Sequence, residues 1–100
     1  MQVRRTEEFA SWLRGLRDRL GRAKILARID RLQEGNPGKT RSVGGGVVEM
    51  KIDFGPGYRV YYIQRGELLI LLLCGGDKST QTNDIKLAKS LAAGWAGGEE

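Results

Sequence analysis

Two short phrases place charged side chains at the ends of otherwise apolar strands: Gly55-Pro56-Gly57-Tyr58-Arg59-Val60-Tyr61-Tyr62, and Gly75-Gly76-Asp77-Lys78-Ser79-Thr80-Gln81 followed by Asp84-Ile85. The Pro-Gly pair presets a tight turn, and the run after it has the β-branched and aromatic character of a strand. Arg59 is thereby delivered at a strand start, where a rigid backbone can aim it. Lys78 arrives at a strand end near the same edge of the sheet. Parity adds a third cation. If the turn around Gly55 joins two antiparallel strands, odd positions on both face one side and Lys51 lies beside Arg59. Together they form a phosphate site, because a guanidinium fork matches phosphate bidentately and keeps its charge. Crowded like charges favour a neutral amine, which is one route by which a lysine becomes a base.

With no histidine in the chain, a Ser-His-Asp triad, a Cys-His pair and a histidine-ligated metal are excluded. Lysine, arginine, carboxylate and tyrosine chemistry remain. Those groups suffice for phosphodiester cleavage by an RNA's own 2′-OH, which needs a proton acceptor, charge stabilisation on the phosphate and help for the leaving oxygen. The glycines show no Walker or Rossmann spacing, so neither a cofactor nor a metal is expected.

Each of these residues also has a plainer reading. Lys51 can be a solvent-facing strand residue with Glu49 as its local counter-ion, and Arg59 can pair with Asp53 or Asp77. Lys78 can be a surface lysine at a helix start, and Asp84 a partner of the helix dipole. Tyr58, Tyr61 and Tyr62 can stack on bases of single-stranded RNA, where an aromatic contact contributes about 1–3 kcal/mol per base. They can equally fill the core, and parity buries at least one of Tyr61 and Tyr62.

The elements that position these groups follow from periodicity. Met1 to Arg5 reads as a short strand, and Thr6 as an N-cap with Glu7 and Glu8 complementing the dipole of the helix behind it. Phe9, Trp12, Leu13, Leu16 and Leu20 form one stripe of that helix, with Arg14, Arg17 and Asp18 on the other face. Gly21 breaks the pattern. Ile25, Leu26, Ile29 and Leu32 restart it, and the second helix ends at Gly35-Asn36-Pro37-Gly38. From Val47 the period becomes two: Val48, Met50, Ile52 and Phe54 point one way, while Glu49, Lys51 and Asp53 form a wet face. Tyr58–Gln64, a turn at Arg65-Gly66 and Glu67–Cys74 make a hairpin whose second strand is apolar on both faces and belongs inside the sheet. Ile85, Ala88, Leu91, Ala92 and Trp95 mark a last helix. Trp12 and Trp95 belong to packing, as does Cys74. The order is β-α-α-β-β-β-α, an α+β single domain whose antiparallel sheet packs against an N-terminal helical hairpin and a C-terminal helix.

One hundred residues make one domain with a modest core. With 17 Lys and Arg against 12 Asp and Glu, the net charge is +5, which fits a surface that attracts RNA, DNA or an acidic protein, and equally one that is basic but inert. A lone cysteine excludes an intrachain disulfide. Arg4 and Arg5 have no apolar stretch behind them, and Leu68–Cys74 is far too short to span a bilayer, so a cytoplasmic protein without membrane contact is expected.

The two phrases, with Phe9-Ala10-Ser11-Trp12-Leu13 and Gly35-Asn36-Pro37-Gly38, also carry a family resemblance. Over nearly its whole length the chain resembles the small toxins of the RelE/ParE superfamily, in particular HigB-like addiction module killer proteins. The resemblance implies a RelE-like domain over 1–96 and a frayed tail at 97–100. It implies a type II toxin that cuts mRNA in the ribosome through attack of a 2′-OH on the adjacent phosphate. Its partners would be the ribosome, mRNA and a helix-turn-helix, HigA-like antitoxin. Arg59 matches the arginine that contacts the scissile phosphate, and Lys78 the basic residue after the glycine of the last strand. Lys51 becomes the candidate base or a second clamp. Asp84 stands where RelE carries a catalytic tyrosine, so a carboxylate replaces a phenol, as base or as a group orienting Lys78. Arg14, Arg17, Arg22 and Arg28 would hold ribosomal RNA, and Tyr58 would contact RNA. The same fold also serves ParE-like toxins, which bind DNA gyrase without catalysis, and a non-toxic binding module is a third reading. Arg59 is expected at the surface, where its replacement changes stability by only about 0.5 kcal/mol.

Overall fold

The computed structural model describes residues 1–95, and the tail expected at 97–100 lies outside them. Strand β1 (Gln2–Arg5) ends at Thr6, whose hydroxyl accepts the Phe9 amide at 3.0 Å and caps α1 (Glu7–Gly15). The same hydroxyl donates to the Leu73 carbonyl at 2.5 Å, so the cap also pins the helix to the sheet. Asp18 caps α2 (Arg19–Gln33) by accepting the Gly21 amide at 2.9 Å. There follow β2 (Thr40–Gly44), β3 (Val47–Ile52), β4 (Tyr58–Arg65), β5 (Leu69–Gly76), a single 3-10 turn (Lys78–Thr80) and α3 (Gln81–Gly94).

The strands form one sheet in the order β1-β5-β4-β3-β2, with β1 parallel to β5 and every other pair antiparallel. This is the α+β architecture expected, with one strand more. β2 escapes a periodicity search because Thr-Arg-Ser-Val-Gly has a single large apolar side chain and is mostly exposed; it is a strand because it pairs with β3.

Helices cover both faces. α1 and α2 place Phe9, Leu13, Ile25, Ile29 and Leu32 on a face made by Met50, Ile52, Val60, Tyr62, Ile70 and Leu72. α3 places Ala88 on the opposite face over Val47, Tyr61, Leu71, Leu73 and Cys74. The expectation of a wet face on β3 is therefore corrected: Val47 and Glu49 are buried beneath α3, and only Lys51 and Asp53 reach water on that side. β5 is interior, as its two apolar faces require. Tyr61 and Tyr62 are both buried, one on each face.

The helical break also moves. α1 stops at Gly15 and the connection is Leu16–Asp18, while Gly21 lies inside α2 and Leu20 is 58% exposed. Asp18 is a stronger start signal than Gly21 is a stop. Gly21 has a different reason to be glycine, since a Cβ there would lie 2.6 Å from the Tyr58 ring and 2.6 Å from the Asp18 carboxylate.

A bulge in β5 decides which side chains share a face. Tyr61 pairs with Cys74 but Tyr62 with Leu72, so Leu73 is the extra residue, and the parity of the strand flips after it. Cys74 and Gly76 consequently face α3, and Gly75 faces α1. Both glycines are filled from outside: a Cβ on Gly75 would lie 2.3 Å from the Trp12 ring, and one on Gly76 would lie 1.8 Å from the Asp84 carboxylate. Overpacking of this kind costs about 1–3 kcal/mol, so Gly75→Ala should lower the urea midpoint by that equivalent. The cost should shrink in a Trp12→Leu background; equal costs in both backgrounds would show that the ring is not what Gly75 accommodates.

Candidate functional site

The register aligns two rows of side chains across the α3 face. The outer row runs Lys51–Arg59–Gly76 over β3, β4 and β5, and the Asp84 carboxylate fills the space above Gly76. The inner row runs Arg41–Glu49–Tyr61–Cys74 over β2 to β5. The proximity of Lys51 and Arg59 expected from parity is therefore realised in direct register.

Lys51, Arg59 and Lys78 line one open cleft of about 460 Å³ with Asp53 and the Phe54–Gly57 turn. The turn presents its backbone here: Gly57 has φ +80°, its carbonyl accepts Arg59 Nη1 at 2.7 Å, and the Pro56 carbonyl accepts the Lys78 amide at 3.4 Å. The Pro-Gly turn thus fixes both the arginine and the start of the 3-10 turn carrying Lys78. Lys51 Nζ lies 3.4 Å from Asp53, which Lys39 also holds at 2.8 Å. The hydrogen bond from Lys39 leads the effects that hold the Asp53 carboxyl below its ordinary range.

Arg59 differs from the surface arginine expected. It is only 6% exposed, and its nearest acid is Glu49, 3.8 Å from Nε, rather than Asp53 or Asp77. That separation exceeds a hydrogen bond, and Arg59 Nε is buried without a partner among the described residues. The strand start is a covered position because α3 overlies it, so replacing Arg59 removes a buried, bonded group.

Glu49 is the site residue that sequence reasoning undervalued. It is 4% exposed and accepts from Arg41 Nε at 2.8 Å, Tyr61 Oη at 3.0 Å and Gln81 Nε2 at 2.7 Å. Burial works against its charged form, yet the hydrogen bonds from Arg41, Gln81 and Tyr61 outweigh that and hold the carboxyl below its ordinary value. Burial, then the bond to Glu49, pushes the Tyr61 phenol well up. The signal was present in the odd parity that Glu49 shares with Lys51, but its ligands come from β2 and α3. A second cleft of about 280 Å³ opens over this group, lined by Lys39, Thr40, Arg41, Glu49, Lys51, Arg59 and Gln81.

Other expected residues are placed elsewhere. Asp84 lines neither cleft; its carboxylate accepts the Thr80 hydroxyl at 2.5 Å and packs on Gly76, the register partner of Arg59. Tyr58 is buried, donates to Asp18 at 2.8 Å and meets Trp12 edge-on at 6.3 Å, so it offers no face to a base. Arg22 donates to the Leu16 carbonyl, and Arg28 to the carbonyls of Lys51 at 2.8 Å and Pro37 at 3.0 Å. Both fasten backbone instead of facing RNA. Arg14 is exposed and paired with Glu7 at 2.9 Å, and Arg17 is exposed in the α1–α2 connection. Burial pushes the Cys74 thiol up to about 12, which makes it a packing group rather than a nucleophile.

Residues 11–92, which include every residue lining the two clefts, match a family described as Phage derived protein Gp49-like (DUF891). The chain belongs to this family. It is also 53% identical over 92 residues to a Haemophilus influenzae protein described as uncharacterized, an alignment covering 92% of this chain and 93% of that protein. Among the described residues no helix is long and apolar enough to cross a membrane.

The Glu49 network generates an acid signature. Because the folded carboxyl lies below its ordinary value of 4.5, the stability it contributes is fully present above that pH and is lost as pH falls through the folded value. Glu49→Gln should cost about 1.5–3 kcal/mol at neutral pH, the range for hydrogen bonds to a charged group. Its unfolding free energy should also fall less steeply than that of the parent below pH 4.5. Urea unfolding of both proteins across pH 3–7 checks this, and parallel curves would remove Glu49 as the source.

Proposed function

We infer that the protein is the toxin of a toxin–antitoxin pair, of the RelE and HigB type, and that it cuts mRNA on the ribosome with the RNA's own 2′-OH as nucleophile. The observation that carries this reading is the convergence of Lys51, Arg59 and Lys78 on one cleft, with the guanidinium held in advance by the Gly57 carbonyl. A phosphate oxygen is the acceptor best matched to an arginine.

In this mechanism the 2′-oxygen bonds to phosphorus and the bond to the 5′-oxygen breaks, leaving a 2′,3′-cyclic phosphate and a 5′-hydroxyl. Arg59 carries the charge that develops on the non-bridging oxygens, held in advance by Gly57 and the α3 layer. Lys51, released from Asp53 and acting as the neutral amine, accepts the 2′-OH proton, and the Lys78 ammonium at the exposed side gives one up to the leaving oxygen. Asp84 acts at a distance by fixing Thr80 and the 3-10 turn. Arg14 and Arg17 remain for ribosomal RNA, whereas Arg22 and Arg28 are engaged within the fold. The partners of this reading are the ribosome, mRNA and a helix-turn-helix antitoxin, and its setting is the cytoplasm.

Induction of the chain alone should arrest bacterial growth, and co-expression of a neighbouring helix-turn-helix protein should restore it. Primer extension should then map in-frame cuts in translated mRNA that vanish without ribosomes. Intact mRNA with accumulating gyrase-cleaved DNA would select the ParE-like alternative, and normal growth with folded protein would reject a toxin. Because Arg59 is buried, the informative variants are Arg59→Lys, which keeps charge but loses the fork, and Lys78→Ala. Loss of a preorganised donor at a developing charge costs roughly 100- to 1000-fold in rate. Lys78 is exposed, so its removal should leave the melting temperature unchanged. Parental cleavage by both variants would overturn the assignment.

A further inference from the structure

The cleft that holds the proposed scissile phosphate is not the only cationic cavity on the α3 face. The second cleft shares Lys51 and Arg59 with the first and adds Lys39, Thr40, Arg41, Glu49 and Gln81. Four of its seven lining side chains are cationic. Its one acid, Glu49, is buried and already accepts three hydrogen bonds, so it is screened from an incoming anion.

We propose that this second cleft binds the phosphodiester adjoining the scissile one, so that two consecutive phosphates of a single-stranded RNA straddle the Lys51–Arg59 pair. This rests on the RNA reading of the first cleft. Three features carry it. Arg41 gives only its Nε to Glu49, which leaves both Nη groups without a hydrogen-bond partner among the described residues, on a side chain 60% exposed at the sheet edge. Arg59 lines both clefts, so one guanidinium can present an edge to each cavity. The two rows, Arg41–Glu49 and Lys51–Arg59, are two residues apart along the strands, about 6.8 Å, which suits neighbouring phosphates on an extended strand. Arg41 therefore has two tasks, holding Glu49 with one edge and meeting a phosphate with the other, as a guanidinium's five donors permit.

Salt dependence separates binding from support. Each phosphate neutralised on a single strand contributes about 0.7 to the slope of log K against log salt concentration. A 2′-O-methyl RNA hexamer, which cannot be cut, would be titrated by fluorescence anisotropy across a salt series with the parent, Arg41→Ala, Lys39→Glu and Lys78→Ala. Lys39 lines the cleft, is exposed and bonds Asp53 at the surface instead of Glu49, so Lys39→Glu puts a negative charge into the cleft without disturbing the Glu49 network. The proposal expects Arg41→Ala to lower the slope by about 0.7. It expects Lys39→Glu to weaken binding at least tenfold at low salt with an unchanged melting temperature. If Lys78→Ala weakens binding while Arg41→Ala and Lys39→Glu bind as the parent does, the first cleft stands and the second is overturned. A weaker Arg41→Ala with the parental slope, alongside a parental Lys39→Glu, overturns it too, because Arg41 then acts only through Glu49. If the parent itself shows no salt-dependent RNA binding, this proposal is overturned, whereas the nuclease reading stands or falls on the primer-extension map of translated mRNA.

Discussion

A carboxylate buried in a sheet restricts everything around it. Removing an ion from water costs several kcal/mol unless its lone pairs are satisfied, so Glu49 requires partners that arrive from different parts of the chain. Arg41 reaches it from β2, Tyr61 from β4 and Gln81 from the first turn of α3. Each bond fixes one relation: the edge strand to the sheet, the register of β3 on β4, and the azimuth of α3 over both. The group spans elements from residue 41 to residue 81, so it can form only when the domain is assembled. Arg59 inherits its surroundings from this arrangement, since α3 covers it and Glu49 stands 3.8 Å from its Nε.

The bulge at Leu73 does the complementary work on β5. Without the extra residue, Gly76 would face α1 and Gly75 would face α3. With it, Asp84 and Trp12 each find a glycine opposite and both helical layers close onto the same strand. Bulges often re-aim side chains near functional sites. Here the bulge brings Gly76, the residue before Asp77 and Lys78, into the row of Lys51 and Arg59, and it thereby directs the 3-10 turn towards the cleft.

A basic chain of this size does not spend all its arginines on ligands. Arg28 joins α2 to the carbonyls of Lys51 and Pro37, tying the helical hairpin to the strand beneath the site. Arg22 bonds the Leu16 carbonyl and closes the connection between α1 and α2. Asp18 performs three tasks in a small space, capping α2 through Gly21, accepting the Tyr58 hydroxyl and lying close to Gly21, where a Cβ would not fit. The Gly21 amide and the Tyr58 hydroxyl hold its carboxyl below its ordinary value. These are reasons of packing and backbone satisfaction, and they compete for the same residue types that a nucleic-acid surface uses.

Much of this was determined by the sequence alone, and the physical reason is locality. The Thr6 cap, the helix stop at Gly35, the alternation of β3, the Pro-Gly turn before Tyr58 and the doubly apolar β5 all depend on neighbours within a few residues. So does the parity that sets Lys51 against Arg59 across a hairpin, because a short turn leaves little freedom of register. Tertiary structure alone decided what depends on distant partners. β2 exists by pairing, its residues carrying no period of their own. Glu49 is buried because α3 folds over a face that alternation leaves wet. Arg59 is covered for the same reason, Tyr58 is taken out of solvent by Asp18 and Trp12, and Asp84 is drawn to the gap left by Gly76 and to the Thr80 hydroxyl. A residue's type announces the chemistry available to it, but burial and hydrogen-bond partners decide whether that chemistry is spent on the fold or left for a ligand, and those are properties of the assembled chain.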